Sequence, residues 1–497
     1  MALVLLGAVL TMDEERPELA DGAVCVGDDG MIEAVAAAGE ALPAGFARAP
    51  RVRTRGMIAP GLIDLHGHLA YNCRGLWSPP RAEPYTSREQ WPGAETYADE
   101  IRYPSLALGK VAGAAVLKYV EVKAIVGGTT SVQGSARLRG RYEGWMVRNV
   151  EQETFGTGEK TIGQSVRTLG DDAEFAQRRE EMDGGRVFVY HLSEGTRPSL
   201  LREWEALRDH GVLHPRLVAI HCTALGKRQF DEWGPRGGTV VWSPFSNLWL
   251  YRATTDVVAA RDADLRVCLG ADWAPSGSKQ LLGELKVADL WNRERLGGAF
   301  SDHELCRMVT ASPAEALGWE DRLGRVAPGL HADLVVLTRR DRSLPRSLIR
   351  ATERDVRLVL IDGRPLYGTP GLMRSAGADG DAEAITVAGL RRAVRTVNPA
   401  LGAEDLTWRQ TLERLALARR DPEAALAMVT TRGGPPPVEI LPDMPWDEDA
   451  GTRGELDLAT VRIPKIDSLH HDAGFFAAVA AARIHGGTLD GMRAYWE

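Results

Sequence analysis

Two histidines, His66 and His68, stand one residue apart at the end of an apolar run near the start of the chain. The run from Met57 to Leu65 has the composition of a short buried strand. Because residues two apart on a strand point to the same side, the two imidazoles are expected to converge on one point. Neutral imidazoles suit a borderline divalent metal such as zinc. Two ligands do not hold a metal, so the pair predicts further ligands elsewhere in the chain.

Composition and charge narrow the classes of protein to which the chain can belong. Its 497 residues, 44% apolar and 26% charged, are typical of a globular protein. The formal charge of −8, without a basic stripe interleaved with aromatic residues, argues against a nucleic-acid polymer as partner. No apolar run reaches about 18 residues, so we expect no membrane span. Five scattered cysteines without a CxxC pair predict reduced thiols and a cytoplasmic location.

The sequence changes character along its length, which predicts an α/β fold with several parts. Residues 58–321 alternate short apolar strands with helical stretches, and this span fits a (β/α)8 TIM-like barrel, whose usual size is ~250 residues. Residues 1–57 and 322–370 have strand and turn patterns, so we expect a small β-sandwich domain built from both flanks of the barrel. Residues 380–497 are expected to form a helical C-terminal extension, with its first helical segment over 384–429.

Further metal-binding residues follow later predicted strands of the barrel. By our count, His191, His221 and Asp272 close the fifth, sixth and eighth apolar strands. Barrel active sites are built where strands end at their carboxyl termini, so these side chains should meet the histidine pair. Three imidazoles and one carboxylate around a metal, with a water completing the coordination, make a hydrolytic centre. The sequence therefore predicts a metal-dependent hydrolase.

The predicted centre assigns chemistry to three residues. A bound divalent metal lowers the pKa of water from about 15.7 towards ~7 and polarises the group under attack. Asp272 can bind the metal weakly while taking the proton of the water. His221 can hydrogen-bond that water and stabilise the developing oxyanion. Glu194, three residues after His191, can reach the substrate and pass a proton to the leaving nitrogen.

These segments together resemble the amidohydrolase superfamily. Within it, they are similar to the metal-dependent deaminase and chlorohydrolase branch, which includes triazine hydrolases and relatives of cytosine and guanine deaminases. The resemblance covers roughly residues 1–370 and implies a (β/α)8 barrel with a flanking β-domain. The matching segments are Pro60–His68, His191–Glu194, Val241–Leu248, Gly270–Asp272 and Gly324–Leu334.

The resemblance implies one divalent metal ion and separate catalytic groups. Zn²⁺ is the expected ion and Fe²⁺ the alternative, since histidine and aspartate ligands accept both. The binuclear branch needs a bridging lysine at the end of the fourth strand. The candidate strand, Thr161–Thr168, does not end in one, and Lys160 precedes it. The implied metal ligands are His66, His68, His191 and Asp272, and the implied catalytic residues are Glu194, His221 and Asp272.

The substrate is less defined than the reaction class. The seventh-strand segment begins with Trp242-Ser243, whereas the corresponding segment of purine and cytosine deaminases begins with His-Asn. The loop at Arg137–Arg141 matches no substrate-specific pattern. Arg74 is a candidate for binding an anionic substrate, and Trp273, beside Asp272, is placed for the pocket. Asn247, within the seventh-strand segment, is the third candidate substrate contact.

The favoured function is hydrolysis of carbon–nitrogen bonds other than peptide bonds, by attack of a metal-bound hydroxide on a small molecule. Deamination of a cyclic amidine or heterocycle comes first, because Glu194 suits protonation of a ring nitrogen and of the leaving amine. A cyclic amidase, lactamase or N-acyl hydrolase with the same site is the alternative. A catalytically inactive assembly scaffold is a remote alternative, since no ligand is lost. By analogy with similar barrels, a homodimer or homotetramer is expected.

Overall fold

The structure is a computed structural model that describes residues 2–79, 81, 83–134, 137–152, 154–155, 162–165, 167–378, 380–430, 438–448 and 456–497, with backbone alone at 162–165, 448 and 484. Strands and helices alternate through the middle of the chain, and strands dominate its two flanks. The strands are β1 Leu3–Leu10, β2 Glu18–Val26, β3 Ile32–Ala37, β4 Arg51–Pro60, β5 Leu62–Asp64, β6 Thr129–Val132, β7 Arg137–Arg139, β8 Arg148–Asn149, β9 Ile162–Ser165, β10 Val187–Leu192, β11 Leu217–His221, β12 Thr239–Trp242, β13 Arg266–Leu269, β14 Leu334–Leu337, β15 Val356–Ile361, β16 Arg364–Gly368, β17 Glu383–Val387, β18 Leu390–Val394 and β19 Glu439–Leu441.

The helices are mostly short, and the longest, α1, is preceded by a π-helical turn at Ala98–Arg102. Within the described residues, no helix combines the length and the apolar character needed to cross a membrane. The α-helices are α1 Tyr103–Val126, α2 Asp172–Asp183, α3 Leu201–Asp209, α4 Lys227–Trp233, α5 Pro244–Tyr251, α6 Val257–Asp262, α7 Leu281–Glu294, α8 Asp302–Arg307, α9 Ala311–Leu317, α10 Leu344–Arg350, α11 Pro370–Ser375, α12 Trp408–Arg420, α13 Pro422–Val429, α14 Pro445–Glu448 and α15 Ala473–Ala481.

The middle of the chain contributes two parallel sheets, β5–β6–β8 and β9–β10–β11–β12–β13. The strands β10 to β13 are mostly apolar, as expected for parallel strands that are covered on both faces. In β10, for example, every residue is buried. Counted along the chain, these eight strands place the histidine pair after the first, His191 in the fifth, His221 at the end of the sixth and Asp272 after the eighth.

A nine-stranded sheet draws its strands from both flanks of this middle part. β1 to β4 come from the N-terminal flank and β14 to β18 from the C-terminal flank. The flanks meet where β14 pairs antiparallel with β4, with Val336 opposite Ile58. Both side chains are fully buried, so the junction is held by apolar packing as well as by backbone hydrogen bonds.

The predicted helical segment over 384–429 is wrong at its start, because β17 and β18 form a hairpin at the edge of this sheet. The two-residue turn at Ala388 and Gly389 has positive φ at both positions, 48° and 76°. Such turns match the twist of hairpin strands. The alternation of buried Ile385 and Val387 with exposed neighbours agrees with a strand. Helices begin only at α12, after this hairpin.

The first and last parallel strands meet at the end where the predicted site lies. The amide of Asp272 donates to the carbonyl of His66 at 2.7 Å, and Gly67 forms an isolated parallel bridge with Asp272. Asp64 Oδ1 accepts from the amides of His66 (3.2 Å) and Ala271 (3.1 Å). β5 itself ends at Asp64. We had expected the histidine pair to continue the strand, but it lies just beyond the strand end.

Gly270 permits this close approach, because an added Cβ there would lie 2.3 Å from His66 Cβ. We therefore predict that Gly270→Ala lowers the free energy of unfolding by about 1–3 kcal/mol, the usual cost of forcing extra volume into a packed core. Urea denaturation followed by circular dichroism measures this change. Gly371→Ala, in α11 with no other atom within 4 Å, is the matched control and should be neutral or slightly stabilising. Equal midpoints for Gly270→Ala and the unmodified protein would contradict the packing argument.

Candidate metal and catalytic site

The predicted metal-binding side chains converge in one buried cluster. His66 Nε2 lies 3.1 Å from His191 Nε2 and 3.1 Å from Asp272 Oδ1, and His68 Nε2 lies 3.6 Å from the same carboxylate oxygen. Two overlapping groups of side chains have their ligand atoms within 4.8 Å of one another. The groups are His66, His68 and His191, and His66, His221 and Asp272. This donor set, four imidazoles and one carboxylate, fits a divalent metal ion.

Strained backbone turns aim several of these groups. Ser193, His221, Cys222 and Asp272 all have positive φ, between 50° and 68°, although none is glycine. Such conformations are uncommon for non-glycine residues and concentrate at functional sites, where the surrounding structure stabilises them. Here they occur where β10, β11 and β13 end, so each strand turns sharply as it reaches the cluster.

One face of α5 supports three groups of the cluster. Ser243, which precedes the helix, and Asn247 and Tyr251 within it recur every four residues, so their side chains lie on one side. Ser243 and Tyr251 were not predicted as site residues. This four-residue spacing starts at Trp242-Ser243, where the sequence departs from the family pattern. The contacts are Ser243 Oγ with His66 Nδ1 (2.8 Å), Asn247 Oδ1 with His221 Nδ1 (2.9 Å) and Tyr251 Oη donating to Glu194 Oε1 (2.6 Å).

Glu194 lies beside His221 on the edge of the cluster. Its Oε1 is 3.6 Å from His221 Nε2, and His221 Nε2 is 3.8 Å from Asp272 Oδ2. Because Asn247 accepts from Nδ1–H of His221, the neutral imidazole presents an unprotonated Nε2 to the two carboxylates. The three predicted catalytic groups thus face one another across gaps slightly longer than a hydrogen bond.

His68 has a partner from the distant C-terminal part of the chain. Its Nδ1 is 2.8 Å from Asp443 Oδ2, and both side chains are buried. Asp443 lies between β19 and α14, and β19 pairs antiparallel with β7, in the segment that we had expected to be a loop. No sequence signal near the histidine pair pointed to this residue.

Burial and neighbouring groups set the charge states of the imidazoles. Burial, together with His221 and His68, holds the pKa of His66 well below its usual value, and burial with His66 and His68 does the same for His191. Burial alone would lower the pKa of His68, but the Asp443 carboxylate outweighs it and raises that pKa. Neutral imidazoles are the form that binds metals.

The three predicted substrate contacts have different surroundings. Trp273 lies in a buried aromatic cluster and stacks on Trp91 with ring centroids 5.9 Å apart. The side chain of Asn247 contacts His221. Arg74 is buried and donates to the carbonyl of Glu100 at 2.5 Å, away from the imidazole cluster. Of the three, Trp273 and Asn247 adjoin the site, and Arg74 has no described contact with it.

The number of metal ions stays a prediction. The argument for one ion depended on Lys160 and on the strand predicted at Thr161–Thr168. β9 occupies part of that range and pairs in parallel with β10. Lys160 lies outside the described residues.

Comparison with known families identifies proteins to which this chain is similar. Residues 183–367, which include His191, His221 and Asp272, match the amidohydrolase family. A 5-methylthioadenosine/S-adenosylhomocysteine deaminase of Syntrophobacter fumaroxidans is 28% identical over 417 residues, covering 73% of this chain and 92% of that protein. A 5'-deoxyadenosine deaminase of Methanothermobacter thermautotrophicus is 33% identical over 185 residues, covering 35% of this chain and 43% of that protein.

A solved structure extends the comparison to the fold. The atrazine chlorohydrolase of Arthrobacter aurescens TC1, complexed with zinc, superposes with a TM-score of 0.59 at 20% identity, covering 73% of this chain and 95% of that one. The fold is therefore of the TIM-barrel type, and residues 183–367 carry an amidohydrolase family domain. The relatives and structural neighbours are named as deaminases and a chlorohydrolase, in agreement with the resemblance seen in the sequence.

Removal of one imidazole should abolish tight metal binding. Loss of a residue that hydrogen-bonds a metal ligand weakens metal affinity roughly 10–100-fold. Because His191 is a proposed ligand itself, we predict that His191→Ala weakens Zn²⁺ affinity by more than this. Competition titration of the metal-stripped protein with a chromophoric chelator measures this affinity. His210→Ala removes a half-exposed histidine that contacts Ala206 and Asp172, and it should leave the affinity unchanged. Equal affinities for His191→Ala and the unmodified protein would refute the site.

Proposed function

We propose that this chain is a metal-dependent hydrolase of carbon–nitrogen bonds that deaminates a nitrogen heterocycle. The observation that carries the proposal is the arrangement of Glu194, His221 and Asp272 around one face of the imidazole cluster. A water in this space meets a base, a hydrogen-bonding imidazole and a second carboxylate that can protonate the leaving group. The names of the relatives, deaminases of adenosine-derived compounds, agree with this chemistry.

The proposed metal ligands are His66, His68, His191 and Asp272, and the proposed ion is Zn²⁺, with Fe²⁺ as the alternative. When bound, a divalent metal there would lower the pKa of water towards ~7 and polarise the group under attack. The low pKa values of His66 and His191 support this assignment, since ligating imidazoles must be neutral.

The chain's own residues account for the proton movements. Asp272 takes the proton of the attacking water, and His221 Nε2 hydrogen-bonds that water. Glu194 in its protonated form protonates the ring nitrogen, recovers a proton from the new hydroxyl group on the ring carbon and delivers that proton to the departing amine. The proton that Asp272 took from the water then returns to Glu194, which restores the starting state. Tyr251 holds Glu194 Oε1 at 2.6 Å, so the other carboxylate oxygen is the one offered to the substrate. Ammonia and the carbonyl form of the ring are the products.

An adenine ring meets the requirements of this site. Its amino group is attached to an sp² carbon beside a ring nitrogen, so protonation of that nitrogen makes the carbon more electrophilic. The aromatic cluster that contains Trp273 and Trp91 adjoins Asp272 and offers apolar ring surface for a planar heterocycle. We therefore place adenosine-derived compounds first among the candidate substrates.

We propose a matching layout for the rest of the chain. Residues 58–321 close as a (β/α)8 barrel, residues 1–57 and 322–370 form the composite β-sandwich domain, and residues 380–497 form an extension. Beyond β18 the described part of this extension is mainly helical, with β19 as its one strand. The Gly67–Asp272 bridge and the pairing of β14 with β4 support the first two parts. Five free, buried cysteines support a cytoplasmic location, and a homodimer or homotetramer follows by analogy with similar barrels.

Ammonia release tests the reaction directly. Zinc-loaded protein is expected to release ammonia from at least one member of a panel of adenosine derivatives, other purines, pyrimidines and triazines, as measured by a coupled glutamate dehydrogenase assay. A lactam and an N-acyl amino acid serve as comparison substrates. No release from any heterocycle, together with hydrolysis of either comparison compound, would replace deamination with amide hydrolysis at the same site.

Glu194 and its support should be separable by mutation. We predict that Glu194→Gln lowers kcat by about 10²–10⁴-fold, the contribution of a positioned acid–base group, and leaves bound metal unchanged. Tyr251→Phe removes one hydrogen bond to that carboxylate and should cost about tenfold, equivalent to roughly 1–2 kcal/mol. Steady-state kinetics with metal analysis of each variant measures both effects.

Tyr119→Phe is the matched control for Tyr251→Phe. Its phenol donates to the backbone carbonyl of Asp467 and has no described contact with the site. Its kcat should equal that of the unmodified protein. If Glu194→Gln keeps full activity, Glu194 is not the proton carrier.

A further inference from the structure

Asp443 reaches the site from outside the part of the chain that supplies the ligands. It is 375 residues away from His68 in sequence, yet its Oδ2 lies 2.8 Å from His68 Nδ1. Its other oxygen, Oδ1, is buried and has no hydrogen-bond partner among the described residues. A buried carboxylate without a cation beside it is costly unless it is bound to a strong donor. The imidazole N–H is that donor here.

The contact fixes how His68 faces the cluster. When Nδ1–H donates to a carboxylate, Nε2 carries no proton and is free to bind a metal. Nε2 of His68 is the atom that points to the cluster, 3.6 Å from Asp272 Oδ1. Ser243 and Asn247 hold His66 and His221 through neutral groups, so Asp443 supplies the charged partner among these three contacts.

The segment that carries Asp443, residues 438–448, is packed closely against α1. An added Cβ at Gly109 would lie 2.3 Å from the Ile440 carbonyl oxygen, and one at Gly113 would lie 2.2 Å from that of Val438. The two glycines, four residues apart on α1, therefore leave room for the backbone of the segment.

Asp447 anchors the other end of the same segment. It accepts hydrogen bonds from the phenols of Tyr71 (2.7 Å) and Tyr97 (2.8 Å), and Arg102 Nε donates to it at 2.7 Å. Pairing of β19 with β7 holds the N-terminal end. Asp443 lies between these two anchors, so its approach to His68 is determined on both sides.

We propose that Asp443 is a positioning residue of the metal centre, so that the C-terminal segment 438–448 completes a site whose ligands all come from the parallel strands. The inference depends on the proposed function, because it takes His68 as a metal ligand. Asp443 orients the ring, fixes the tautomer with a bare Nε2 and increases the electron density that the imidazole donates.

Three variants test this role. Asp443→Ala removes the partner and should weaken Zn²⁺ affinity by about 10–100-fold and lower kcat with little change in KM. Asp443→Asn keeps an acceptor oxygen without the charge and should weaken Zn²⁺ affinity about 3–10-fold. Its affinity is then expected to lie between those of Asp443→Ala and the unmodified protein. Glu439→Gln, on the same segment and paired with exposed Arg139, is the control and should bind like the unmodified protein.

Two quantities are measured for each protein: its metal affinity and the visible absorption spectrum of its Co²⁺-substituted form. The spectrum is informative because loss of a merely structural aspartate would not shift the ligand-field bands. Shifted bands in Asp443→Asn are expected even if Asp443→Ala does not fold. Unchanged affinity and spectrum in Asp443→Asn would overturn the inference. Failure of the unmodified protein to bind Zn²⁺ or Co²⁺ would instead refute the proposed function, so the two failures are distinguishable.

Discussion

The backbone contact between the first and last parallel strands is the constraint on which the site depends. The amide of Asp272 donates a hydrogen bond to the His66 carbonyl. Asp64 Oδ1 accepts hydrogen bonds from the amides of His66 and Ala271. The histidine pair and the terminal carboxylate are thereby held beside each other, with His66 Nε2 3.1 Å from Asp272 Oδ1. Gly270 makes the approach sterically possible, and the strands between supply His191 and His221 at the same edge.

Outer contacts orient the side chains that converge at this edge. Ser243 and Asn247 bind the Nδ1 atoms of two imidazoles, and Tyr251 binds Glu194, all from one face of α5. A helix rotated by a single residue would turn this face by about 100° and lose all three contacts. The chemistry therefore depends on the register of α5 as much as on the residues that react.

The ligands could be predicted from the sequence because each is a local signal, a polar residue that closes an apolar strand. Ser243 and Tyr251 show a helical spacing, but the sequence does not say which face of α5 meets the cluster. The hairpin of β17 and β18 was missed because Arg391 and Arg392 between apolar residues also suit an amphipathic helix, and its turn is the short Ala388–Gly389 pair. Asp443 carries no local signal, since its partner lies 375 residues away.

We propose that the strand ends form one metal-binding hydrolytic centre. Anomalous X-ray diffraction from crystals of the zinc-loaded protein, measured on both sides of the zinc absorption edge, would locate the metal ion. We expect a single strong peak per chain, within about 2.0–2.2 Å of a nitrogen of each of His66, His68 and His191 and of an Asp272 oxygen. A peak elsewhere, or no peak in a fully folded protein, would contradict it.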